Sequence, residues 1–93
     1  MHAVITVIEY LPGTTEDAAV AALHEMILPG VKQAAGFVKG VWAGDDKGGH
    51  ALMLFEIEEQ AQQAVQGVGD EVGGVKVTSS DVYGVHAEPG CTA

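Results

Sequence analysis

Ala3 to Tyr10 holds five β-branched residues in succession, Val4-Ile5-Thr6-Val7-Ile8, and predicts a strand that Leu11-Pro12-Gly13 brings to an end. Val20, Leu23, Ile27 and Val31 then recur at helical spacing, with Ala19, Ala22 and Met26 beside them. Thr14 is placed to cap this helix, and Glu16 and Asp17 in its first turn complement the helix dipole. Pro29-Gly30 is expected to break or kink it before a further turn at Val31–Ala34, and Ala35-Gly36 closes the segment.

Two apolar runs follow, around the polar, glycine-rich Gly44-Asp45-Asp46-Lys47-Gly48-Gly49, and predict a β-hairpin with a six-residue connection. With Ala43 opposite His50, one face carries Val38, Gly40, Trp42, Ala51, Met53 and Phe55. The other carries Phe37, Lys39, Val41, Ala43, His50, Leu52 and Leu54. Both faces are apolar. Glu58 to Val68 then predicts a smaller helix with the stripe Ala61, Ala64, Val65 and Val68 and acids at its N-terminal end. Ile57, which precedes it, has no capping oxygen. Gly67 to Gly74 reads as a glycine-rich acidic connection. Val75 to Ala87 is a last extended stretch, interrupted around Ser79-Ser80-Asp81, with its firm part at Val82–Ala87.

The order β-α-β-β-α-β predicts an α+β, ferredoxin-like fold: a four-stranded antiparallel sheet, order 4-1-3-2, with both helices on one face. Residues 1–88 form that domain and 89–93 a tail. An antiparallel sheet covered on one side alternates apolar and polar residues, and neither the hairpin nor the first strand does. The uncovered face therefore calls for a partner, and a second copy packed sheet to sheet is the economical one.

Composition narrows the function. Ninety-three residues make one domain, and a formal charge of −9 with four lysines and no arginine argues against nucleic acid, anionic membranes and polyanionic substrates. One cysteine, Cys91, forms no intrachain disulfide. The N-terminal run lacks a basic leader and is too short to span a bilayer, so a cytoplasmic protein is expected.

Pro29-Gly30-Val31 with Gly36-Phe37-Val38-Lys39-Gly40-Val41-Trp42, then Leu52-Met53-Leu54-Phe55-Glu56-Ile57-Glu58-Glu59-Gln60-Ala61, then Val82-Tyr83-Gly84-Val85, resembles the dimeric α/β-barrel superfamily. The likeness runs over nearly the whole chain and is nearest to the small domains of antibiotic-biosynthesis-monooxygenase type. It implies a homodimer whose sheets close into a barrel, and a pocket between sheet and helices or inside the barrel. Cofactor-free monooxygenases, haem-degrading enzymes, lactone isomerases and stress-responsive proteins share this fold, which does not choose among them.

Haem degradation in that superfamily uses a histidine ligand with asparagine and tryptophan nearby, and this chain has no asparagine. His24-Glu25-Met26-Ile27-Leu28 begins like a zinc-protease motif but has Leu28 where the second histidine belongs. His2 and His86 are expected on neighbouring strands and His50 at the other end of the sheet, which gives at most a pair where zinc takes three or four ligands. Neither metal nor cofactor is expected. A cofactor-free oxygenase would need a base of near-neutral pKa and a wall for a planar substrate. His24 is the candidate base, and Trp42 and Tyr83 are the candidate substrate-binding residues. The other reading makes Trp42 part of the wall, His24 a solvated flank residue, and the protein a non-catalytic dimeric module for small apolar or aromatic ligands.

Overall fold

The computed structural model describes residues 1–66, 71–72 and 74–87. Its four long strands are β1 (His2–Tyr10), β2 (Phe37–Gly44), β3 (Gly48–Phe55) and β5 (Val75–Gly84), with a two-residue β4 (Glu71–Val72) added at one edge. They form one antiparallel sheet in the order β2-β3-β1-β5-β4. Apart from that edge, this is the predicted strand order. The helices are α1 (Glu16–Ala22), a π-helical turn (Leu23–Ile27) and α2 (Leu28–Lys32), run together as one segment, and α3 (Glu58–Gln66). The end predicted for the second helix, most of the Gly67–Gly74 connection, the tail and Cys91 lie outside the described residues.

The hairpin pairs Ala43 with His50, as predicted, but its connection is Asp45–Lys47, because Gly44 and Gly49 also pair. Asp45 organises this turn. Its carboxylate accepts the Lys47 N–H at 2.8 Å and the Gly48 N–H at 3.2 Å. Those two bonds, Lys47 first, pull its pKa below the ordinary 3.8.

A second departure lies at the start of β2. The β2–β3 register shifts between Phe37 and Lys39. This bulge exchanges the expected faces: Phe37 turns to the helix side and meets Phe55 edge-on at 5.9 Å, while Val38 is exposed. A similar shift, between Val7 and Ile8, lets β5 run unbroken through Ser79-Ser80-Asp81, the stretch read as an interruption. There the Thr78 hydroxyl donates to the Val7 carbonyl at 3.0 Å, and the Thr6 and Ser80 hydroxyls pair at 2.9 Å. The strand ends at Gly84, so His86 lies beyond it.

Thr15, not Thr14, caps α1, its hydroxyl accepting the Ala18 N–H at 3.2 Å. Pro29 does not stop the helix. The chain widens into the π turn, where the Leu28 N–H reaches back to the Leu23 carbonyl, and Pro29 enters at the start of α2, where its missing N–H costs least. Gly36 then turns the chain at φ +76°, and the Gln60 carboxamide fills the space its side chain would need.

The main core cluster lies on the helix side, while Ala3 and Leu54 are buried on the other. Val4, Met53, Phe55 and Ala61 are buried together, with Phe37, Trp42, Ala64, Val65 and Val82 packed around them. Ala61 is fully buried, so α3 rests directly on β1, β3 and β5. The 3.3 Å pairing of His2 Nε2 with Glu58 Oε2 ties the first turn of α3 to β1. On the other side of the sheet Val41 and Tyr83 are 62% and 51% exposed, with Leu52 beside them. No helix among the described residues is long and apolar enough to cross a membrane.

Two outcomes are expected. Gly36→Ala should destabilise the fold by about 1–3 kcal/mol in urea unfolding, since alanine resists positive φ and meets Gln60. For Asp45, a folded-state pKa held below the unfolded value means the carboxylate stabilises the fold above about pH 4 and stops doing so as pH falls through the folded pKa. The melting-temperature gap between wild type and Asp45→Ala should therefore be constant from pH 8 to 5 and shrink below about pH 4.

Candidate functional site

Whereas α3 sits on the sheet, the Glu16–Lys32 segment stands away from it. Only Ala19 of that segment is buried, although Leu23, Ile27 and Val31 turn inwards. The gap is a cleft of about 440 Å³. Its floor is the helix-facing side of the sheet, with Thr6 and Ile8 of β1, Ala51 and Met53 of β3, and Val75 and Val77 of β5. Its roof is Ala19, Leu23, Ile27 and Val31. A cleft of this size accepts a small organic molecule, and the lining is overwhelmingly apolar.

Trp42 forms one wall, in the cross-strand row Trp42–Ala51–Thr6. The residue two positions earlier on its face, Gly40, makes room for it: a methyl group there would lie 2.6 Å from the indole ring. Ala51 and Thr6 are small for the same row, which leaves the ring bordering open space.

Polar groups are few. Thr6 is already paired with Ser80. Tyr10 stands at the far end of β1, near Glu16 of α1. Burial raises the Tyr10 pKa above 10.0, and the charges of Glu16, Asp45 and Asp46 raise it further, so the phenol keeps its proton at neutral pH and acts as a donor. His50, at the hairpin end, pairs with Val7 and Ala43, so its side chain belongs to the sheet face away from the helices.

The structure separates the three residues singled out from the sequence. Trp42 lies in the cleft. Tyr83 is on the opposite face of the sheet, paired with Ala3 and half in solvent. His24 is exposed on the π turn and does not line the cleft. The lining residues Tyr10 and Glu16 were not singled out. Tyr10 looked like the end of a strand and Glu16 like a helix-end charge. Their one sequence signal was position: both flank the connection from the first strand to the first helix. Among the described residues no group of three His, Cys, Asp or Glu is placed to hold a metal ion.

Gly40→Ala should push the Trp42 ring out of place without unfolding the protein. Because Trp42 is the sole tryptophan, a shifted emission maximum and an altered near-ultraviolet circular dichroism band would report it, with the far-ultraviolet spectrum unchanged. An unmoved emission maximum would mean that the ring has room to spare. Compared with known proteins, the chain matches no family model and no curated protein.

Proposed function

We propose that this protein binds a small apolar or aromatic molecule in the cleft between the sheet and the Glu16–Lys32 segment, and does so as a homodimer closed through the open sheet face. One observation carries the binding reading: an apolar cleft of about 440 Å³ with an indole in its wall. Apolar surface held apart rather than collapsed is available to a ligand, whose burial is favourable by roughly 25 cal/mol per Å². The dimer is supported by Val41, Leu52 and Tyr83, which lie exposed together with half-buried Ile5 and Val7 on the side away from the helices. Packing that face against a copy of itself gives the dimeric α/β-barrel arrangement that the sequence resembles.

A second reading makes the same cleft catalytic, as a cofactor-independent monooxygenase for a phenolic or polyketide-like compound. Dioxygen is then the oxidant: a ring CH₂ becomes a carbonyl, and the second oxygen atom leaves as water with the two hydrogens. This reading is favoured by the protonated Tyr10 at the polar end of the cleft. His24 would have to act from its exposed place on the π turn. Oxygen uptake over an anthrone, abolished in Tyr10→Phe, is expected if the cleft is catalytic. No uptake leaves the binding module.

Trp42→Ala should weaken binding of 2-naphthylmethanol about tenfold, the loss of one aromatic contact, while sedimentation stays unchanged. Unaltered affinity would remove Trp42 from the site. Val41→Lys should shift sedimentation equilibrium from dimer to monomer, and a wild-type protein that is monomeric at micromolar concentration would overturn the dimer.

A further inference from the structure

The cleft is apolar along its length and polar at one end. Trp42 and Thr6 share a row, and Tyr10 stands four residues further along β1, about 13 Å away at the rise of a strand. Glu16 is at the Tyr10 end. Among the described residues it is the one carboxylate that lines the cleft, and none of the four lysines does. Asp45 and Asp46 lie close enough to this end for their charges to be felt at Tyr10.

Ligands of the same shape but different charge would fare differently here. An anion would exchange water for a site with no lysine or arginine, beside a carboxylate, in a chain of net charge −9. A neutral molecule would gain burial of its apolar body and a hydrogen bond to Tyr10. A cation would add attraction to Glu16, and Tyr10 Oη could accept a hydrogen bond from it.

We propose that the cleft takes amine-bearing apolar ligands, with the ammonium group at the Tyr10–Glu16 end and the ring system towards Trp42. This rests on the reading of the cleft as a ligand site and adds the charge of its ligand. Glu16 is exposed, so its attraction is screened, and the expected preference is roughly three- to tenfold, falling with salt.

Three probes of one shape test it: 2-naphthylmethylammonium, 2-naphthylmethanol and 2-naphthoate, titrated by calorimetry at pH 8 and low salt. Wild-type protein should bind the ammonium tightest and the carboxylate weakest. Glu16→Gln should close most of the gap between ammonium and alcohol, with an unchanged far-ultraviolet circular dichroism spectrum showing that the variant is folded. Equal affinity for all three probes, or a gap that survives Glu16→Gln, overturns the charge preference while the cleft remains a binding site. No binding of any probe removes the cleft reading itself.

Discussion

Ala61 is the contact on which the arrangement turns. It has no exposed surface, and its single methyl group lets α3 settle onto Val4, Met53 and Phe55 without an intervening layer. Burying side chains such as Val4 and Phe55 contributes about 1.5–3 kcal/mol each, a large share of what a domain this small can assemble. The helix that covers one half of the sheet so closely leaves the other half to the Glu16–Lys32 segment. That segment is joined to the sheet through turns at Gly13 and Gly36, both at positive φ, and it spans its half rather than packing down on it. Close packing on one side and a cleft on the other are two results of one placement.

The cleft persists in the sequence's own terms because the residues that face it are small where filling would be easy. Ala19, Ala22, Gly30 and Ala34 line it from above, and Gly49 and Ala51 from below. A core of close-packed leucines would close the same space to native density. Trp42 is the exception in size. Its ring is seated over Gly40, which would collide with it if it carried a side chain, so the indole borders the space instead of plugging it.

The two sides of the sheet do different work. Towards the helices lie the core and the cleft. Away from them, Val41–Leu52–Ile5–Asp81 forms a cross-strand row that is apolar until its last member. Lys39, His50 and Asp81 stand around the apolar centre. The β-bulge at Phe37–Lys39 sets the two sides apart: it sends one aromatic ring into the core beside Phe55 and one valine outwards.

Much of this was legible in the residues. A β-branched run marks β1 and two apolar runs mark the hairpin, the Asp45-Asp46-Lys47 turn carries its own capping carboxylate, and the order of elements limits the sheet to the observed pairing. Period alone could not reveal the two bulges, since a single extra residue moves Phe37, or Thr78 and its neighbours, without any change in composition. Nor could it tell that Pro29 would be absorbed by a π turn, because that depends on the carbonyls left free one turn back. The candidate site was legible only in Trp42. Tyr10 and Glu16 flank one connection, and they border the cleft because the end of β1 and the start of α1 stand over the same end of the sheet. The sequence by itself determined which elements form and that both sheet faces are apolar, for these follow from local propensity and the two-residue period of a strand. The tertiary structure alone decided which helix packs down, where space remains and which polar groups border it, because those depend on contacts between residues that the chain holds far apart.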